Sequence, residues 1–197
     1  PEKLISHPYF YFLSLDLSQL DDIKLNLPLL FHSISKLDLV ILNAGILGEI
    51  KDLKETSILE LKHIMDINLW SNKIVLDCLF TYVDSIAQII GISSGAAVNG
   101  SRGWGGYALS KSSFNMLISL YAKEQLNTHF TALAPGLIDT PMQDYLCALP
   151  ANDDTPSLKR IQESRHTDHM PPPDKAAEKL APLFPKLMSG LSGLFLD

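Results

Sequence analysis

The sequence predicts an α/β fold built as a doubly wound parallel sheet. Three observations predict it. Short β-branched or aromatic runs alternate with longer helical stretches, the pattern of strands joined by helical crossovers. Each such run ends in small or polar residues, as strands do where an open parallel sheet holds a ligand. The chain has 197 residues, 46% of them apolar and 19% charged, enough to fill the core of one domain of roughly 100–200 residues.

The elements follow in order. Residues 9–15 (YFYFLSL) read as a buried strand. A helix covers part of 19–34, disturbed by Pro28. Residues 39–42 (LVIL) read as a second buried strand. Ser57 with Glu60 three residues on forms a capping box, and the helix behind it runs to about Leu79. Residues 88–92 are a third strand, 107–127 a long helix and 129–133 a fourth strand. Thr155 followed by Pro156 opens a short helix. After the proline break at 170–173, Asp174 caps a helix to about Met188, and 193–196 form a last short strand. Residues 147–173 are the most polar and broken stretch, read either as a lid over a substrate site or as a linker between helices. The whole of 1–197 is expected to be one domain.

Charge and patterning exclude several classes. The formal charge is −6 and the pI near 5.4, against a nucleic-acid binder, which carries a basic footprint. No apolar run approaches the roughly 18 residues of a membrane span, and no basic-then-apolar signal opens the chain. Mean hydropathy of +0.12 hints at a self-association surface. Cys78 and Cys147 are the only cysteines, which fits a reducing, cytoplasmic setting.

The strand ends supply the chemistry. They are Asp16-Leu17-Ser18, Asn43-Ala44-Gly45, Ser93-Ser94-Gly95 and Ala134-Pro135-Gly136. Small residues let the backbone approach a ligand, and polar ones hold it. The sharpest signal is Tyr107-Ala-Leu-Ser-Lys111. Residues four apart share a helix face, so the Lys111 ammonium stands beside the Tyr107 phenol and is expected to lower its pKa from about 10. A tyrosine so placed serves as a general acid or base. Taken alone, such a pair is also what an ordinary solvated helix face carries. Ser94 precedes Tyr107 at a strand end, where its hydroxyl can reach the oxygen that Tyr107 touches.

These residues resemble the short-chain dehydrogenase/reductase family over essentially the whole chain. Ser94, Tyr107 and Lys111 match its catalytic order and spacing, and Asn68 in Asp66-Ile-Asn-Leu69 matches the fourth member of the set. Asn43, Ala44 and Gly45 match its Asn-Ala-Gly, and Pro135, Gly136 and Thr140 its Pro-Gly followed by Thr. Asp16 matches the acidic residue beside the adenine. A narrower likeness, to the sepiapterin reductase and benzil reductase branch, rests on Gly103-Trp104-Gly-Gly-Tyr107, on Asn115-Met-Leu117 and on residues 134–143.

The resemblance implies a Rossmann-type fold and hydride transfer between a nicotinamide cofactor, taken as NADP, and a carbonyl compound. Tyr107 is then the proton donor, Ser94 holds the substrate oxygen, and Lys111 reaches the ribose. Asn68 orders a water that refills Tyr107 through Lys111. Asp16, Leu17, Asn43, Ala44 and Gly45 contact the cofactor, as do Pro135, Gly136, Ile138 and Thr140. Trp104, Met142 and Asp197 join Ser94 and Tyr107 around the substrate, Asp197 in the place of the pterin anchor. A homodimer or homotetramer is implied, with Ile74, Leu76, Leu117, Ile118 and Leu120 as candidates for its face or for core packing.

One departure from the family matters. No Gly-rich phosphate-binding turn precedes Tyr9, so the chain is expected to begin inside the fold with the first strands missing. Either the protein is longer than this sequence or it is truncated. A truncated chain opens the alternative of an inactive relative that serves as a binding or assembly partner. An NAD-preferring alcohol dehydrogenase is a third reading. Leu42 stands where the family often has Asn. Pterins, vicinal diketones and sugar or lipid carbonyls all remain open as substrates. His166 and His169 are read as surface residues, without a metal site.

Overall fold

The computed structural model describes His7 and residues 9–197. Four parallel strands form its sheet among the described residues: β1 (Lys36–Leu42), β2 (Ser85–Ile92), β3 (His129–Leu133) and β4 (Leu194–Leu196), in that spatial order. Helices cross between them: α1 (Leu20–Asn26), α2 (Ile58–Met65), α3 (Ser71–Tyr82), α4 (Gly105–Glu124), α5 (Pro141–Ala148), α6 (Pro156–Ser164), α7 (Pro173–Leu180) and α8 (Phe184–Leu187).

Both faces of the sheet are wound. At Gly91 of β2 the α4 side chains Phe114 and Ile118 press against the backbone, leaving no room for a Cβ. On the opposite face Gln88 donates to the Phe184 carbonyl of α8 at 2.7 Å. The main core gathers Leu76 and Leu79 of α3, Phe114 and Ile118 of α4, and Ile89 and Phe130 of the sheet. Leu76 and Ile118 are wholly buried in it, and Ile74 and Leu117 pack against it, so four of the five apolar positions offered for a dimer face belong to the core side. Leu120 alone of the five is exposed, at 52%.

Residues 9–15 correct the sequence reading. They form no strand, and Tyr9, Tyr11 and Phe12 are exposed. A strand is stabilised by its ladder, and among the described residues none pairs with this run.

Helix starts follow local chemistry. The Ser57 hydroxyl accepts from the Glu60 amide at 3.2 Å, but the Glu60 carboxylate turns to Lys51 at 2.8 Å instead of closing the capping box. The helix expected from Ser57 to Leu79 is interrupted by a π-helical turn, Asp66–Trp70. Pro28 lies in a 3-10 turn, Leu27–Phe31, that ends α1. Asp174 falls in the first turn of α7, with Pro172 at the cap. Helix α5 was not foreseen, although Thr140-Pro141 carries the same start signal as Thr155-Pro156. The stretch 147–173 is less loose than its composition implies. Leu158, Ile161 and Met170 are buried with Trp104, Tyr107 and Leu146 in a second apolar cluster. No helix among the described residues is long and apolar enough to cross a membrane.

Candidate functional site

The strand ends β1, β2 and β3 open onto one cavity of about 470 Å³. Asn43 and Gly45 enter it from β1, Ser93, Ser94 and Gly95 from β2, and Pro135, Gly136, Ile138 and Thr140 from β3. Helix α4 adds Tyr107 and Lys111 one turn apart, and Trp104 stands just before it. Met142, Leu146 and Ile161 close the far wall. Asp197 arrives behind β4, held in place by the Ala134 amide on the Leu196 carbonyl at 2.8 Å. Its carboxylate lies against Gly95, next to Ser94.

Tyr107 and Lys111 are both buried. Burial pushes the Tyr107 phenol above its ordinary value, and the Ser94 hydroxyl beside it pulls the other way. The net shift is upward, opposite to the lowering expected from Lys111. The ammonium sits 5.8 Å from the Tyr107 ring centre and 5.4 Å from that of Phe114, and it is bound to the Ile92 carbonyl at 2.8 Å. Burial brings Lys111 itself down to about 8. The phenol is therefore protonated at neutral pH, the state a proton donor requires. The Ser94 hydroxyl oxygen accepts from the Ala96 amide at 3.1 Å, which leaves its own proton free to donate into the cavity.

Asn68 is buried. Its Oδ1 accepts from the Ile46 amide at 2.7 Å, and its Nδ2 donates to the Ile46 carbonyl at 2.8 Å and the Ser110 hydroxyl at 2.9 Å. Ser110 in turn donates to the Tyr107 carbonyl at 2.8 Å. The carboxamide is engaged at both ends and splices the chain after β1 to the backbone of Tyr107. The π turn that carries Asn68 aims it inward, a common use of such turns. A Cβ at Gly45 would crowd this splice, lying 3.2 Å from Asn68 Oδ1 and 3.4 Å from Lys111 Nζ.

Ala44 does not line the cavity, nor do Asp16 and Leu17. Asp16 is exposed, its carboxylate accepting from the Ser18 amide at 2.9 Å, a bond that holds its pKa below the usual value. The residues present fit the nicotinamide-ribose end of a dinucleotide. Three strand ends of small residues give it close backbone approach, and the Lys111 ammonium stands among them.

Sequence reasoning missed Gln143, Ser157 and Arg160, which α5 and α6 bring to the cavity, and Asn99 and Ser101 from the loop after β2. The Thr140-Pro141 helix signal could have pointed to Gln143. Trp104 both packs and lines the cavity, and its Nε1 donates to Ser157 Oγ at 3.0 Å. Three ion pairs tether the segment that carries these residues. Asp154 pairs with Arg102, and Arg165 pairs with Asp139 and Asp144. His166 and His169 are exposed.

The profile of the short chain dehydrogenase family matches residues 2–148. The chain is 31% identical to a benzil reductase ((S)-benzoin forming) of Saccharomyces cerevisiae, covering 82% of this chain and 66% of that protein. It is 28% identical to sepiapterin reductase of Bos taurus, over 74% of this chain and 56% of that one. A solved short chain dehydrogenase/reductase of Saccharomyces cerevisiae superposes with a TM-score of 0.80 at 21% identity, over 95% of this chain and 76% of the other. The chain spans 44%, 66% and 62% of the lengths of the first three curated relatives it matches.

Proposed function

The chain belongs to the short-chain dehydrogenase family, and from that premise we propose that the protein reduces a ketone, diketone or pterin-like carbonyl to the alcohol, with NADPH as the favoured nicotinamide cofactor. One observation carries the reading. The Ser94 and Tyr107 hydroxyls and the Lys111 ammonium line one cavity at the ends of parallel strands. NADPH is favoured over NADH by the likeness to the reductases alone.

The bound cofactor supplies the hydride. Ser94 donates a hydrogen bond to the substrate oxygen and offsets the negative charge that develops there. Tyr107, kept protonated by burial, gives its proton to that oxygen. Lys111, charged below pH about 8, stabilises the phenolate left behind. Asn68 positions Tyr107 through Ser110. Self-association belongs to the same reading. Trp70, Met116 and Leu120 leave an apolar surface on α4 and the π turn, exposed by 46%, 60% and 52%. A cytoplasmic location is the setting proposed for the enzyme.

The test is cofactor oxidation by the full-length protein with benzil and with sepiapterin, NADPH and NADH being compared. Saturable oxidation of either cofactor, dependent on Tyr107, is the expected result. A protein that neither binds nor oxidises either cofactor would overturn the reading and favour an assembly partner.

A further inference from the structure

Lys111 is a buried cation with little to answer it. Its ammonium has three N–H groups, and one protein acceptor, the Ile92 carbonyl at 2.8 Å, takes one of them. Among the described residues no carboxylate pairs with it. The other titratable side chains of the cavity are Tyr107, Arg160 and Asp197. Gly45 and Asn68, beside the ammonium, are neutral. Burial alone, and none of these groups, moves Lys111 from its ordinary value.

Two aromatic rings stand in for a counter-ion. Tyr107, Lys111 and Phe114 occupy positions i, i+4 and i+7, one stripe of α4. The ammonium lies over both rings, 5.4 Å from the centre of Phe114 and 5.8 Å from that of Tyr107. Phe114 is fully buried, and its ring is seated against Gly91 of β2, where a Cβ would lie 2.6 Å from Cζ. The face of an aromatic ring is negative and attracts a cation, most strongly where water is excluded.

We infer that Phe114 is a positioning residue of this site, its ring face holding the Lys111 ammonium by a cation–π contact. The part of Lys111 in the reaction comes from the reductase reading, whereas the contact of ring and ammonium stands apart from it. A leucine at 114 would fill much of the same space and offer no such face. Loss of the face disfavours the charged form, so Lys111 would give up its proton at lower pH.

The experiment titrates Lys111 by NMR of isotope-labelled lysine in the full-length protein, its Cε signal being identified by its loss in Lys111→Met. Phe114 is replaced by leucine, and by phenylalanines bearing one and two fluorines on ring carbons turned away from Gly91. Fluorine withdraws charge from the ring face and leaves the shape of the ring almost unchanged. Phe114→Leu is expected to lower the Lys111 pKa by about one pH unit, and the fluorinated rings to lower it in steps. The alkaline fall of kcat, followed with NADPH and benzil or sepiapterin, is expected to move with it. A Lys111 titration that does not respond to the fluorines would overturn the proposal, whatever Phe114→Leu does. So would an alkaline fall of kcat that stays in place while the titration moves. The fluorinated series decides the matter if Phe114→Leu fails to fold. A titration that follows the ring, without any cofactor oxidation, would sink the reductase reading and leave the contact of Phe114 with Lys111 standing.

Discussion

The Lys111 ammonium donates to the Ile92 carbonyl at 2.8 Å, at the end of the strand that delivers Ser94. The bond fixes a cation under the cavity floor, where burial brings its pKa from 10.5 down to about 8. Lysine is thus the group in this site that titrates closest to neutrality, while the phenol stays protonated. The rate of carbonyl reduction is expected to fall as the pH rises past about 8, where Lys111 loses its charge. A pH profile of kcat that stays flat through that range would contradict this role.

The same residue links stability to pH. Its pKa is lower in the folded chain than in the unfolded one, so the unfolded chain binds more protons between pH 8 and 10.5. Below that window the folded chain bears the full cost of a buried charge, and stability recovers as the pH rises through it. Lys111→Met is expected to abolish reduction while raising unfolding stability at pH 7 by about 2 kcal/mol. Urea denaturation of both proteins at pH 7 tests this, and a less stable variant would show that the bond to Ile92 outweighs the buried charge.

Tyr107→Phe removes one oxygen and leaves the ring beside Trp104 within the second apolar cluster. We expect kcat to drop about 10²-fold or more, with little change in thermal unfolding. Turnover near the wild-type rate would remove Tyr107 from the chemistry.

Asn68→Ala is expected to act first on the fold. It strips partners from the Ile46 amide and carbonyl and from Ser110. The loss should be about 2–4 kcal/mol in chemical denaturation, because buried groups are left unpaired. A stable variant that is merely slow would instead assign Asn68 a direct part in proton supply.

Gly91→Ala tests the seam between β2 and α4. The added Cβ would sit 2.6 Å from Phe114 Cζ and 3.1 Å from Ile118 Cδ1. Overpacking of this kind costs about 1–3 kcal/mol. Thermal unfolding that matches the wild type would mean that Phe114 can move aside.

The sequence was most legible where the relation is local. Tyr107 and Lys111 are four apart on one helix, Ser94 ends a strand, and both facts follow from spacing. Gln143, Ser157 and Arg160 reach the cavity only because α5 and α6 fold back over it, and no local pattern encodes that contact. Residues 9–15 show the converse. Their apolar run reads as a strand, but strand formation depends on a neighbour that the run itself cannot reveal. The bonds of Asn68 were hidden for a related reason: a carboxamide at a given position can face a cavity or the backbone, and here the π turn brings it to the Ile46 backbone.

That turn makes the helix pair sensitive to residue count as well as residue type. An α-helix advances about 100° per residue, and a π turn absorbs one surplus residue. Deleting any one residue from Asp66–Trp70 would let the helix run on without a break. Ser71–Tyr82 would keep its phase with Ile58–Met65, because the residue removed is the one the turn absorbs. Leu76 and Leu79 would stay in the core, while the carboxamide now at Asn68 would lose the turn that aims it at Ile46. A shortened chain would therefore keep the register of its core and lose the splice of its site, while gaining a more regular helix.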